Sequence, residues 1–185
     1  MTITTPTGPP RAADSIHRTG DTALALPEWS ARAYSDRDRE AVLEMFTEPD
    51  FYYRTAQPDT RPEWEILDLL AEDTRVLLAD GAPVGLYALE NEGSDHGCHY
   101  RLDLRLHAAA PPAWWRGAFA EVVRATRWRR EVVRLALRVA EFDQRGLAIT
   151  RSLGLTEEGV LTDTTIHEGR RYGYVFFSRV WTPTS

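Results

Sequence analysis

One change of periodicity, within residues 101–130, constrains the fold of this chain more than any other feature. Charged and leucine side chains alternate over residues 101–107, the period of a half-buried strand, and apolar residues recur at helical spacing over residues 119–126. The join, residues 108–117, contains two prolines, which stop strand pairing. We therefore expect a strand that delivers the N-terminus of a helix after Gly117. The free N–H groups of a helix's first turn favour an anion such as a phosphate.

The rest of the sequence predicts the order β-α-α-β-β-β-α-β-α-β-β. Period-2 patterns predict strands over residues 29–34, 75–79, 84–89, 101–107, 132–142, 160–167 and 171–180. Helices are predicted after a cap at Ser35, from about residue 60, after Gly117, and over residues 144–153. Asp80-Gly81 and Glu168-Gly169 supply the positive φ of tight hairpin turns, and Gly154 suits a helix end.

The 185 residues, 43% of them hydrophobic, suit one domain, which we place at residues 29–181 between tails at 1–28 and 182–185. Cys98 is the only cysteine, so no intrachain disulfide can form and a cytoplasmic location is expected. No apolar run reaches the length of a membrane span. The net charge of −6 argues against nucleic acid as a partner and suits solubility or a cationic substrate.

Three segments together resemble one family. They are the hairpin ADGAPVGLYAL with its Gly85, the central strand–loop–helix, and DQRGLAITRSLGLTEEGVL, residues 143–161. The chain resembles the GCN5-related N-acetyltransferase (GNAT) superfamily, most of all the branch that modifies ribosomal-protein N-termini and its small-molecule relatives. The resemblance implies an α/β (α+β) fold, with a mixed, splayed, mostly antiparallel sheet of about seven strands and about four helices. It also implies acetyl-CoA or another acyl-CoA as co-substrate.

Several family positions carry other residues here. The pyrophosphate motif Gln/Arg-x-x-Gly-x-Gly/Ala falls on Trp115, Ala118 and Ala120, of which only the last fits. Asp143 replaces an Asn, Thr150 stands where many members have a tyrosine acid, and Gly173 replaces an Asp of the final strand. The motif is therefore degenerate, although small alanines still let a backbone approach a phosphate.

The resemblance and the helix physics together assign cofactor binding to the end of the fourth strand, the helix start and the last helix. The assigned residues are Leu106, His107, Ala108, Trp115, Arg116, Gly117, Ala118, Phe119, Ala120, Asp143 and Arg151. A guanidinium offers forked donors to phosphate, which favours the two arginines. The alternative is that a tryptophan-rich helix start serves packing alone.

Transfer to an amine needs a base, because an ammonium must lose a proton before it attacks a thioester. The candidates are Asp103 and His107, on the charged face of the fourth strand, and Glu141 at the end of the fifth. Histidine titrates nearest to neutral pH. The alternatives are an exposed Arg-Asp-Arg ladder and a solvated strand end.

Aromatic residues predict the substrate pocket. Tyr52, Tyr53 and Trp64 lie where the relatives build an acceptor pocket between their first helices, and Tyr172 and Tyr174 share one face of the last strand. Trp64 is also expected on the buried face of the second helix. Core packing would explain all five equally well.

Two further patterns are weaker. Asp95-His96-Gly97-Cys98-His99 contains metal-ligand types, but adjacent strand residues point to opposite faces and no fourth ligand is evident, so no metal is predicted. Tryptophan and arginine interleave over residues 114–130, a pattern that could stack on nucleic acid. The negative net charge of the chain argues against that interpretation.

The sequence thus predicts an acyl-CoA-dependent N-acyltransferase, most simply an acetyltransferase, that acts on the amine of a small molecule by direct transfer. It is compatible with a homodimer. The alternative is a protein of the same fold that binds a ligand or partner without transfer, or that catalyses another reaction.

Overall fold

The computed structural model describes residues 26–70, 72–93 and 98–182. Seven strands form one sheet in the order β1-β2-β3-β4-β5-β7-β6. The strands are β1 (Trp29–Ala33), β2 (Arg75–Ala79), β3 (Ala82–Asn91), β4 (His99–Leu106), β5 (Arg134–Ala140), β6 (Thr156–His167) and β7 (Arg170–Val180). The α-helices are α1 (Arg39–Met45), α2 (Glu63–Leu69), α3 (Pro112–Arg129) and α4 (Gln144–Ser152).

The pairing confirms the predicted fold class and element order. Every neighbouring pair is antiparallel except β4–β5, which is parallel. Each face of the sheet has its own apolar core: α3 and α4 cover Leu102, Leu104 and Leu106, whereas α1 and α2 cover Leu86 and Ala88. Amphipathic strands and helices thus pack in three layers.

The sheet opens between its two central strands. β4 and β5 pair only at His99–Arg134, Tyr100–Leu135 and Arg101–Ala136. Beyond these pairs β4 stays bound to β3 as far as Leu106, and β5 stays bound to β7 as far as Ala140. Because each strand is held by its outer neighbour, the two inner edges diverge and leave a gap.

The predicted turns are confirmed by the backbone. Asp80 and Gly81 have φ of 50° and 82°, and Glu168 and Gly169 have φ of 48° and 74°. These left-handed conformations are the ones that close a two-residue hairpin and that glycine adopts at no steric cost.

The predicted start of α3 is wrong. The helix begins at Pro112, so Trp114, Arg116 and Gly117 lie inside it and do not precede it. Proline has no N–H and a fixed φ, which suit the first position of a helix. The prolines therefore start this helix, and the loop after β4 is correspondingly shorter than predicted.

The helices in the described ranges lack the length and apolarity needed to cross a membrane. Most of the predicted tails, residues 1–25 and 183–185, and Asp95 to Gly97 of the weak metal pattern lie outside those ranges.

Candidate active site

A cleft of about 470 Å³ lies where β4 and β5 diverge. Its walls are residues 52–56, residues 101–105 of β4 and residues 137–140 of β5, and it is completed by Arg61, Glu90, Phe142, Asp143 and Tyr174. Its lining includes five arginines and three acidic side chains. The cleft is large enough for a small-molecule ligand.

The predicted alternation along β4 is observed, and three of its charged residues line this cleft. Leu102, Leu104 and Leu106 are buried, whereas the intervening Arg101, Asp103 and Arg105 are half-buried. The charged residues pair across to Glu90, Ala88 and Leu86 of β3, which places them on the α1–α2 side of the sheet.

The edge of β4 offers backbone groups to the gap. The N–H of His107 donates to the carbonyl of Val84 on β3. Since backbone groups alternate along a strand, those of Leu104 and Leu106 face the opposite side, where β5 has diverged. The Leu104 carbonyl accepts a bond from the Arg105 side chain at 3.0 Å.

Arg105 spans the gap. Its Nε donates to the Tyr52 carbonyl at 3.1 Å, and its Nη2 donates to Oδ2 of Asp143 at 2.5 Å. Oδ1 of Asp143 accepts the N–H of Gly146 at 2.7 Å and caps α4. Asp143, predicted to bind cofactor, is 1% exposed and has both oxygens engaged within the protein.

Among the three predicted bases, Asp103 lies in the cleft wall. Its Oδ2 accepts a bond from Nε of Arg54 at 3.2 Å, and Arg54 is held in turn by both carboxylate oxygens of Asp73. Nε of Arg101 lies 4.0 Å from Oδ1 of Asp103. The exposed Arg-Asp-Arg ladder of the alternative is not formed, because Arg105 pairs with Asp143 and these side chains are half-buried; Asp103 nevertheless places a carboxylate at the cleft.

His107 and Glu141 are not among the residues that line the cleft. Oε2 of Glu141 accepts the N–H of Gly173 at 2.5 Å, which ties the end of β5 to β7. Gly173 stands in place of the family's Asp. A Cβ there would lie 2.8 Å from the Glu141 carboxylate and 2.7 Å from the Leu161 carbonyl, so close packing explains the glycine.

Aromatic rings pack together beside the cleft. Phe142 stacks on His167 with ring centroids 4.1 Å apart, and both contact the rings of Tyr52 and Tyr172 edge-on. Nδ1 of His167 lies 3.0 Å from the Ala56 carbonyl. Burial, with Asp143 nearby, raises the pKa of Tyr52, so this phenol keeps its proton at neutral pH. Tyr172 thus belongs to this cluster, whereas Tyr174 lines the cleft itself.

Of the other two predicted pocket aromatics, Tyr53 borders the cleft with a buried side chain, and Trp64 lies elsewhere. The Tyr53 side chain is fully buried and its hydroxyl is 2.9 Å from that of Thr74, so it packs in the α1–α2 core. Burial raises the pKa of Tyr53. Trp64 is 69% exposed and does not line the cleft, so the prediction that it marks the buried face of α2 is wrong; Ile66 and Leu70 do so.

The residues of the degenerate motif lie within the first three turns of α3, from Trp115 to Ala120. Ala118 and Phe119 are buried, Trp115 packs against the core, and Ala120 is exposed. The N–H groups of residues 116–120 are within the helix, where each faces the carbonyl four residues before it. The first-turn N–H groups are those of residues 113–115, and that of Trp114 donates to the Pro111 carbonyl at 2.8 Å, so the predicted position of the free helix end is wrong.

The two arginines predicted to bind phosphate have partners within the protein. Nε of Arg116 donates to the Ser152 carbonyl at the end of α4 at 2.8 Å, and Nε of Arg151 lies 3.4 Å from Glu157. Arg116 also borders a wider groove of about 690 Å³, which lies between α3 and the ends of α4 and β7 and is lined in part by Leu153 and Trp181.

The N–H of Ala108, which was predicted to face the cofactor, donates a hydrogen bond to a carboxylate of the protein itself. Oε1 of Glu48 accepts that N–H at 2.7 Å, and Oε2 accepts Nη2 of Arg145 at 2.8 Å. The loop after β4 is thus tied to the start of α4 through a side chain from the end of α1.

Several residues of the cleft did not emerge from the sequence. Arg54, Arg138 and Phe142 line it, and His167 packs beside it. Arg138 had a signal, because it alternates with Leu137 and Val139 on a strand whose other face is apolar. Arg54 and His167 had none, since long-range packing alone brings them here.

The described residues contain no group of three or more His, Cys, Asp or Glu side chains placed to hold a metal ion. Cys98 and His99 belong to the described part of the weak metal pattern.

The fold and the splayed cleft define a class: the chain has the fold of the GNAT acetyltransferases. The acetyltransferase (GNAT family) from Bacillus anthracis superposes with a TM-score of 0.67 at 10% identity, over 84% of this chain and 96% of that one. Ribosomal-protein-alanine N-acetyltransferase from Brucella melitensis gives 0.64 at 17%, over 82% and 99%. The protein yncA from Salmonella typhimurium, solved with its cofactor acetyl-CoA, gives 0.61 at 14%, over 82% and 93%.

Comparisons by sequence behave differently. No protein-family model and no curated protein matches this chain. The likeness to known proteins therefore lies in the backbone, with identities of 10–17% to these three structures.

Proposed function

We propose that this protein transfers an acyl group, most simply acetyl, from acyl-CoA directly to the amine of a small molecule. The observation that carries the proposal is the gap between β4 and β5, which leaves the edge of β4 unpaired beside a polar cleft. An extended, amide-bearing arm can pair with such an edge as an added strand would. We place this activity in the cytoplasm.

The residues present fit the arm of the co-substrate better than its pyrophosphate. Leu104 and Leu106 present backbone groups to the gap, and residues 113–115 form the positive end of α3. The N–H of Ala108 would have to be released by Glu48. When bound, acyl-CoA supplies an activated thioester.

This chain's own groups supply two functions. The N–H of Leu106, aimed into the gap, polarises a carbonyl placed there and stabilises its developing negative charge. Asp103 is the proposed base, because it is the predicted base that lies in the cleft wall, and it accepts the proton of an incoming ammonium directly or through water. The backbone and the carboxylate belong to the same strand, so their spacing is fixed before binding.

A small-molecule acceptor is favoured over a protein terminus by the shape of the cleft. Residues 52–56 form one wall of it and the aromatic cluster of Tyr52, Phe142, His167 and Tyr172 packs beside it, and its volume of about 470 Å³ is that of a small-molecule site. Ribosomal-protein-alanine N-acetyltransferase has a similar fold, so peptides that begin with alanine belong among the tested acceptors.

A second candidate is a protein that binds a ligand or partner without transfer. Specific contacts favour it: Arg105 and Asp143 bridge the gap, Glu48 occupies the Ala108 N–H, and residues 116–120 are helical. In each case a group of the protein takes up a hydrogen-bonding position that acyl transfer would need to be open to the co-substrate.

Thiol release from acetyl-CoA and longer acyl-CoAs, with a panel of amines and short peptides, separates the two candidates. We expect release that depends on the amine. Binding of CoA without release from any amine would favour the second candidate. Absence of both binding at millimolar concentration and release would end the transferase proposal.

A further inference from the structure

The charges around the cleft balance except at one residue. Five arginines line it: Arg54, Arg61, Arg101, Arg105 and Arg138. The first four have carboxylate partners, namely Asp73 and Asp103, Glu65, Glu90 and Glu92, and Asp143 respectively. Within the ranges the structure describes, Arg138 has no ion pair.

The acids of the cleft wall are correspondingly committed. Glu90 is bound to Arg101, Asp103 to Arg54, and Asp143 to Arg105. Arg138 is therefore the one positive charge of the described cleft lining that lacks a carboxylate partner. This local charge is opposite in sign to the net charge of −6 of the whole chain, which had suggested a cationic substrate.

The position of Arg138 suits recognition of a ligand in the cleft. It lies on β5 two residues beyond the last pair with β4, on the same face as Tyr174 of β7. Its guanidinium carbon is 5.3 Å from the centre of the Tyr174 ring. An arginine stacked on an aromatic ring keeps the edge of its guanidinium available, and that edge matches a carboxylate with two parallel hydrogen bonds.

We propose that the acceptor is an amine that also carries a carboxylate, such as an amino acid, and that Arg138 binds this carboxylate. The inference rests on the proposed function. Arg138 on β5 and Asp103 on β4 face each other across the cleft, so the carboxylate lies at one wall and the amine at the other. Arg138 thereby determines specificity and takes no part in proton transfer.

The test compares each amino acid of a panel with its amide and with the amine that lacks the carboxyl group, using acetyl-CoA and thiol release. We expect kcat/KM to fall roughly tenfold to a hundredfold when the carboxylate is removed, the range for a hydrogen bond to a charged group. In Arg138→Gln the amino acids should lose their higher kcat/KM because their KM rises, while the amides and simple amines keep their rates.

Arg134→Gln is the matched control. Arg134 lies on the same strand and face, but it is bound to Glu158 and does not line the cleft, so this variant should keep the preference for carboxylates. Calorimetric titration with N-acetyl amino acids provides a readout that needs no turnover, and their affinity should fall in Arg138→Gln alone.

The two proposals fail in different ways. Equal turnover of acids, amides and simple amines would overturn the role of Arg138 and leave the transferase standing. Binding of N-acetyl amino acids that requires Arg138, without turnover of any amine, would keep the carboxylate site and end the transferase. An Arg134→Gln variant with the same loss as Arg138→Gln would also overturn the assignment.

Discussion

At the scale of single residues, the buried Asp38 gives a pH-dependent prediction. Bonds from the Arg32 guanidinium, and then from the Ser35 hydroxyl and N–H at 2.9 Å and 3.0 Å, hold the pKa of this carboxyl below its ordinary value. A depressed folded pKa contributes stability above the unfolded pKa of about 3.9, and this contribution is lost as the pH falls through the folded value.

Asp38→Asn should therefore lower the free energy of unfolding at pH 7 by about 1–3 kcal/mol, the cost of unsatisfied buried partners. It should also flatten the decline of stability below about pH 4. Urea unfolding at several pH values measures both effects. Asp36→Asn, an exposed aspartate of the same turn, is the control, and an equal effect there would contradict the assignment.

Asp103 gives a second prediction at this scale. Asp103→Asn should lower kcat by about 10²–10⁴-fold, as expected for loss of a general base, and leave the affinity for acyl-CoA unchanged. The control is Asp73→Asn, which also weakens the hold on Arg54 but lies outside the cleft lining. If both variants lose the same activity, Asp103 acts by positioning Arg54 and the base is another group.

At the scale of elements, the packing of helix α3 explains why a glycine fits at position 117. A Cβ on Gly117 would lie 2.4 Å from Nε1 of Trp29, whose ring also contacts that of Trp114 edge-on at 5.9 Å. Glycine inside a helix costs about 1 kcal/mol relative to alanine. The close approach of the Trp29 side chain therefore accounts for this glycine, and no phosphate-binding role is needed to explain it.

A double-mutant cycle tests this packing. Gly117→Ala should be neutral or destabilising in the wild-type chain, because the Trp29 ring must move. In a Trp29→Ala background the same change should raise the free energy of unfolding by about 0.5–1 kcal/mol, the ordinary helix preference. Denaturant unfolding of the four proteins measures the coupling, and a stabilisation of equal size in both backgrounds would show that the ring does not restrict this position.

The strands and helices also show how much of the fold the sequence could predict. Alternation along residues 101–106 predicted which side of β4 is charged, and glycines after Asp80 and Glu168 predicted the hairpin turns, because these signals are local. The start of α3 was misplaced because Pro111 and Pro112 suit both a break and a first helical turn. Nothing local distinguishes the two.

The candidate site was less predictable for a physical reason. Asp103 and Tyr174 were predicted from alternation along their strands and Tyr52 from the family resemblance, and the structure places all three in one cleft. Their partners Arg54 and Arg105, and the engagement of Asp143 by Arg105, depend on contacts between residues 38–53 positions apart in the chain. Sequence periodicity carries no information about such pairs.

At the scale of the whole molecule, Arg105 and Asp143 join the two halves of the sheet beyond the point where they separate. The Arg105 side chain is 13% exposed and that of Asp143 is 1% exposed. Removing one partner leaves the other charge buried without compensation, which costs about 3–5 kcal/mol. Arg105→Gln should lower the free energy of unfolding by an amount in this range.

The double variant Arg105→Gln/Asp143→Asn is the matched comparison, because it removes both charges and retains groups that can hydrogen-bond. We expect it to be more stable than Arg105→Gln alone, as measured by urea unfolding. A double variant whose loss equals the sum of the two single losses would contradict a direct interaction across the gap.

Every cation around the cleft is an arginine, and the chain contains no lysine. A guanidinium stays protonated over the whole pH range in which a protein remains folded, and in that form it is not a nucleophile. The walls of the cleft therefore contain no amine that a thioester could acylate. The proposed acyltransferase would thus have no lysine in its cleft that its own acyl donor could modify.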